Sequence, residues 1–226
     1  MRGVAFKTLR DGICEDVGRS GVSDTTYLAT VTSFINQALD LAYGWLDSGW
    51  PELKTVSTET VTSQAIDRDA VGSGYWGAQR ILGVTTNHPY TSVNPLPVNY
   101  DEVGSSIVIR DSSAASLYVE HIEAPPVFVN TAWATATAYV VGDVRLQTND
   151  AYYCATAHTS GAFATDLAEA KWVVLKIPAF LNLPVRSAVA AALKGTAGQT
   201  QTQLTLISEQ LNVLLGQMAQ RYERRR

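Results

Sequence analysis

Two pairs of carboxylates stand close enough along the chain for general acid–base work, Asp67 with Asp69 and Asp101 with Glu102. Tyr75, Trp76 and Tyr100 lie beside them. Paired carboxyl groups near aromatic rings are what glycoside hydrolysis uses, one protonating the leaving oxygen while the other attacks or activates water. Both pairs fall in polar stretches where acids usually only solvate a loop, so a polysaccharide hydrolase ranks last among the readings. His88, His121 and His158 are isolated from one another and from acidic or cysteine partners at metal-ligand spacing, and Cys14 and Cys154 form no C-x-x-C pair. No metal and no cofactor are expected. Neither a phosphate-binding glycine loop nor a G-x-S-x-G nucleophile turn occurs, and the expectation is that the chain is not an enzyme.

Two other groups of residues are better placed to bind than to react. Between Trp133 and Trp172 the sequence concentrates Trp133, Tyr139, Tyr152, Tyr153 and Trp172 around a Gly142-Asp143 pair and a Thr148-Asn149-Asp150 turn. So short a segment buries little surface, and these rings must supply most of its core. Those that point outward would instead present flat apolar faces to a sugar, and both uses stay open. The second group is RYERRR, residues 221–226, which holds four of the 17 basic residues and one of the 21 acidic ones in a chain of formal charge -4. A cationic end on an acidic body suits docking into an acidic partner, a helix terminus stabilised by the helix dipole, or contact with DNA.

The elements that must position these groups predict an α+β fold. Leu28, Val31, Ile35, Ala38, Leu39, Ala42, Trp45 and Leu46 recur at spacings of three and four and specify an amphipathic helix from Asp24 to Asp47, with Ser23 or Asp24 as its cap. Phe6, Leu9, Ile13 and Val17 mark a shorter helix before it, and the two should form a helical hairpin. Runs rich in Thr and Val predict strands at 54–62, 80–86, 105–110 and 115–123, the last two joined as a hairpin through Asp111-Ser112-Ser113. Helices return as an Ala-rich one with Pro184 near its start, running through Lys194, and a second from about Thr200 to Arg224, the latter with a stripe of Leu204, Ile207, Leu211, Leu214 and Met218. The expected organisation is a helical bundle built from residues 1–50 and 177–226, an antiparallel β region over 51–128, and a small inserted β module over 129–176.

The chain is 46% hydrophobic and only 17% charged, which excludes a disordered tail and suggests that neighbouring subunits cover part of its surface. No stretch has the roughly 18 apolar residues of a membrane span, and no signal-peptide pattern opens the sequence. Synthesis in a cytoplasm, without a membrane partner, is the expectation.

The order Trp133, Tyr139-x-x-Gly142-Asp143-Val144, Tyr152 or Tyr153 with Cys154, His158-Thr159-Ser160, Trp172 resembles the small chitin-binding-type carbohydrate-binding modules. That resemblance implies glycan contact through exposed rings, and such modules also decorate structural proteins of tailed phages. FKTLRDGICEDVG, FINQALDLAYGWLDSGWPEL and the segment from IPAFLNLPV to RYERRR resemble the head-to-tail adaptors, or neck proteins, of tailed bacteriophages. This second resemblance implies a virion location between capsid portal and tail. It further implies a homo-oligomeric ring of about twelve copies around the DNA channel, since heterologous contacts can close on themselves. DNA would pass without specific binding. Portal docking would fall to the last helix and its tail, through Leu211, Leu214, Met218, Arg221, Tyr222, Arg224, Arg225 and Arg226, with a further tail or neck protein on the β region.

Overall fold

The computed structural model describes residues 3–46, 53–68, 71, 78–194 and 200–223. Among these, the chain is mixed α+β, with five helices and several small antiparallel sheets. It divides into two compact units, Met1–Leu46 with Pro126–Arg226, and Asp47–Pro125. Residues 129–176 belong to the same unit as the helices.

That unit opens with strand β1 (Gly3–Ala5), helix α1 (Phe6–Asp16) and helix α2 (Thr25–Leu46). Asp24 caps α2 as its sequence position predicts, its Oδ1 accepting from the amides of Thr26 at 2.9 Å and Tyr27 at 3.2 Å, two of the donors that a helix start leaves without partners. Val31, Ile35, Ala38, Leu39 and Ala42 form its buried stripe. The expected α1–α2 hairpin is replaced by a different arrangement, because both helices pack chiefly on a later one, α4 (Ala179–Lys194). Small buried residues at Ala188, Ala190 and Ala192 let neighbours approach α4 closely. Pro184, expected near the first turn, lies inside α4, which starts at Ala179 directly after Pro178. Helix α5 (Thr200–Glu223) also packs on α4 and α2.

The second unit holds β2 (Lys54–Thr60), β3 (Ala65–Asp67), β4 (Ala78–Thr85), β5 (Tyr100–Val103), β6 (Ser106–Ile109) and β7 (Ser116–Glu123). They form two antiparallel sheets, ordered β2-β7-β4 and β3-β6-β5. The hairpin expected between β6 and β7 is therefore absent, since the two strands lie at the centres of different sheets. Both carry an alternating apolar face, and Ile107 and Ile109 bury against Leu117 and Val119 in one core with Ile66, Ile81 and Val84. Each strand gains more by facing the other across a core than by pairing with it edge to edge. Asp111, expected in the tight turn, accepts hydrogen bonds from the backbone and side-chain nitrogens of Asn99. Of residues 70–77, which include Tyr75 and Trp76, only Val71 is among the described residues, and it is buried.

The chain returns to the first unit through β8 (Ala138–Tyr139), β9 (Val144–Gln147), β10 (Asp150–Cys154), β11 (His158–Thr159), α3 (Phe163–Ala168), β12 (Trp172–Val174) and β13 (Lys176–Pro178). The sheets are β12-β10-β9 and β11-β8, and β13 pairs with β1. Thr148 and Asn149 both have positive φ, 52° and 70°, the geometry of a two-residue hairpin turn whose twist matches the strands it joins. Helices and strands are tied at several points. The Asn36 side chain clamps the backbone of Phe128, donating to its carbonyl at 2.8 Å and accepting from its amide at 2.9 Å. The Phe6 and Phe128 rings stack at 4.4 Å. Ala5 gives α1 no side-chain cap, and Asp150, in the hairpin, accepts from the Lys7 amide at 3.0 Å instead. A carboxylate at a helix N-terminus both satisfies a free donor and opposes the dipole.

Candidate functional site

The five aromatic residues predicted as core or glycan platform separate by depth. Tyr139 and Trp172, 3% and 1% exposed, form the centre of the cluster with Cys154. Trp133 and Tyr152 are partly buried against that centre, together with Phe163. Tyr153 follows Tyr152 on β10 and so occupies the opposite strand face, where it is half-buried. Trp172 meets Tyr139 edge-on at 4.9 Å, and Phe163 meets Tyr152 at 4.9 Å and Trp133 at 5.5 Å, also edge-on. These T-shaped contacts are the arrangement by which aromatic quadrupoles stabilise a core. They leave Trp133, Tyr152 and Phe163 partly open, with the Phe163 ring inclined steeply to the other two, so the three do not form one flat platform. The indole N–H of Trp133 is buried without a partner, so its polar edge faces inward.

The polar part of the motif is architectural. Gly142 adopts φ 93°, a left-handed conformation that a side chain would strain, and its amide donates to the Cys154 carbonyl at 3.0 Å. The Gly142-Asp143 pair thus forms the turn between β8 and β9. The Asp143 carboxylate closes that turn by accepting from the Val140 amide at 3.0 Å. Ser160 donates to the Ala134 carbonyl at 2.7 Å and accepts from the Thr137 amide at 3.0 Å, while the Tyr139 hydroxyl accepts from the Ala134 amide at 2.8 Å. His158 Nδ1 lies 2.7 Å from the Thr156 carbonyl, an acceptor only, so that nitrogen carries the proton. Its Nε2 lies 3.5 Å from Asp166, whose buried carboxylate also accepts from the Gly161 amide at 3.0 Å. The Cys154 thiol donates to the Thr156 carbonyl at 3.1 Å, and burial pushes it above the usual cysteine range. A fully buried thiol held protonated is no nucleophile. Cys, His and Asp side chains therefore meet here as scaffold. Phe163 and Asp166 were not singled out by the sequence pattern; the signal was the GAF stretch following His158-Thr159-Ser160, a partly buried ring at the start of a short helix.

The Asp101–Glu102 pair does not assemble for catalysis. Asp101 and Glu102 are successive residues of β5 and point to opposite faces, Asp101 to Arg110 at 2.6 Å and Glu102 to Arg68 at 3.2 Å. Asp67 is on β3, and Asp69 lies outside the described residues. Among the described residues, no group of three or more His, Cys, Asp or Glu could hold a metal ion. Among them also, no helix is long and apolar enough to cross a membrane.

On α5 the buried positions among the described residues are Ile207, Leu211 and Leu215, spaced four apart. Leu211 thus belongs to the protomer's own core, whereas Leu214 and Met218 are half-buried. Arg221 and Tyr222 fall within the last turn of the helix, and Arg224, Arg225 and Arg226 lie outside the described residues, as does the side chain of Leu204. No protein-family model matches the sequence, and no curated protein is detectably similar to it.

Proposed function

We propose that the chain is a virion structural protein, a head-to-tail adaptor that assembles into a ring between portal and tail and lines the DNA channel. The observation that supports this reading is the disparity between the last two helices. Five residues separate α4 from α5, and helices joined so closely and packed together run antiparallel. Helix α4 has 16 residues and α5 has 24. Roughly eight residues, about 12 Å at the helical rise, therefore extend past the start of α4, and they lead directly into the arginine-rich segment. A helix that outruns the neighbour it is joined to has surface to give to another chain. In this reading α1, α2, α4 and α5 make a bundle, the end of α5 from Leu214 and Met218 onward faces the portal, and the β unit meets the next tail or neck component. The net negative charge lets DNA pass, since each phosphate neutralised by the wall would add salt-sensitive affinity. Native mass measurement and negative-stain microscopy of the purified chain should show a closed ring of about twelve copies. Removing residues 219–226 should abolish capture by portals with the circular dichroism spectrum unchanged. A chain monomeric at every concentration overturns the proposal.

The partly open rings of Trp133, Tyr152 and Phe163 favour a second reading, a tail or baseplate protein that binds glycan through this module. A chitin pull-down of the full chain, lost in Trp133→Ala and kept in Trp172→Phe, would support it.

A further inference from the structure

A groove between α2 and α5 is lined by Gln37, Asp40, Leu41, Thr205, Ser208 and Glu209. Its chemistry is one-sided. Asp40 and Glu209 are exposed and have no ion-pair partner among the described residues. Gln37 donates its amide to Ser33 at 3.1 Å, which leaves its Oε1 buried and accepting nothing. Beside these acceptors Leu41, 39% exposed, offers an apolar wall. Two carboxylates, an unused amide oxygen and an aliphatic surface fit a group that only donates, carries positive charge and has an apolar stem, which describes lysine and arginine, the arginine fork being the better match to carboxylates.

The other described arginines are already engaged in their own protomer. Arg68, Arg110, Arg145 and Arg186 make ion pairs, Arg10 and Arg19 lie over the rings of Phe6 and Tyr27, and Arg80 also has a partner. The arginine-rich segment 221–226 is left as the complementary piece. Its backbone does not reach the groove of its own chain. Glu209 and Glu223 are separated by 14 residues of one continuous helix, about 21 Å, and three further residues span about 10 Å at full extension.

We propose that Arg221–Arg226 of one copy occupies the α2–α5 groove of the next. A tail that fits a neighbour's groove and not its own makes a heterologous contact, repeated around the assembly, which closes into a ring where the rotation allows. This inference rests on the ring reading above and deepens it. The arginines then serve the ring, and the half-buried Leu214 and Met218 remain for the portal.

Sedimentation of the full chain tests it. Asp40→Arg with Glu209→Arg should weaken self-association roughly tenfold or more, and so should Arg224→Glu with Arg225→Glu and Arg226→Glu, since several pairs of modest strength are lost together. A chain carrying both sets should regain assembly, because the charges are exchanged and not removed. Circular dichroism checks that every variant folds. Unchanged rings in both single sets overturn the inference and leave the ring reading standing, as does failure of the combined chain to recover. Variants that form normal rings yet lose portal capture assign the arginines to the portal and also overturn it. A monomeric wild type overturns both proposals.

Discussion

The aromatic module and the central β unit are both built from short antiparallel strands, and they hold themselves together differently. The β unit spreads its core over many aliphatic side chains, among them Ile66, Ile81, Val84, Ile107, Ile109, Leu117 and Val119, contributed by two sheets. The module centres on Tyr139, Cys154 and Trp172, braced by half-buried rings and by buried polar groups at Ser160 and Asp166. A few large side chains and directed hydrogen bonds replace the aliphatic volume that so short a segment lacks. The difference teaches where each region is fragile. Loss of one group should be serious in the module and tolerable in the β unit.

The sharpest contrast comes from Trp172. Trp172→Ala removes the largest buried side chain of the module and should cost roughly 3–5 kcal/mol, read as a fall in the urea midpoint. Site-resolved thiol labelling sharpens the result. Cys14 in α1 and Cys154 in the module are both buried with thiols pushed above their usual range, so in the wild type both should resist labelling at neutral pH. In Trp172→Ala, Cys154 should label and Cys14 should not. Equal labelling of the two would show that the module and the helices open together.

Next in size is Asp166→Ala. This carboxylate is almost completely buried and receives the Gly161 amide and the Lys171 ammonium, with His158 Nε2 alongside. Its removal leaves the buried Gly161 amide without its acceptor and takes one of two carboxylates from Lys171, which keeps Glu169 at 2.6 Å, at a cost of roughly 1–3 kcal/mol. The measurement is again the denaturation midpoint. A change under about 1 kcal/mol, typical of an exposed acid, would mean that the polar bracing is dispensable.

Local patterns carried well from sequence to structure, and long-range choices did not. The spacing of Val31, Ile35, Leu39 and Ala42 together with Asp24 specifies α2 and its cap, because periodicity and capping act within a few residues of one another. The Thr148-Asn149 turn is similarly self-contained. The pairing of β6 and β7 is not, since alternation says which face of a strand is apolar without saying whether its neighbour lies beside it or across a core. Nor does anything near Ala5 announce that the α1 N-terminus is capped from Asp150, 143 residues beyond the Lys7 donor. In the candidate site, the Trp and Tyr positions were legible, but not which rings lie at the centre. Trp133 and Trp172 differ in burial because Trp172 sits on β12, packed in register with Cys154, while Trp133 lies outside the named strands.

In the β unit the corresponding losses should be small. Ile107→Val takes one methylene from a fully buried position, and neighbouring aliphatic side chains can partly close the space, so about 1 kcal/mol is expected. A loss as large as that of Trp172→Ala would mean that the aliphatic core is as concentrated as the aromatic one.

Smallest of all should be Asp101→Asn, the counterpart of Asp166 on an open surface. Arg110 donates from Nε at 2.7 Å and approaches with Nη2 at 2.6 Å, both to the same carboxylate oxygen. The side chains are 57% and 56% exposed, so water competes for both partners and salt screens what attraction remains. The expected loss is below about 1 kcal/mol and should shrink toward zero as ionic strength approaches about 1 M, where the screening length is about 3 Å. The same change should leave the fold of β5 unaltered, because its backbone remains paired with β6 from Tyr100 to Val103. A large, salt-insensitive loss would place this ion pair in a covered interface, which free protomer and assembled ring would then distinguish.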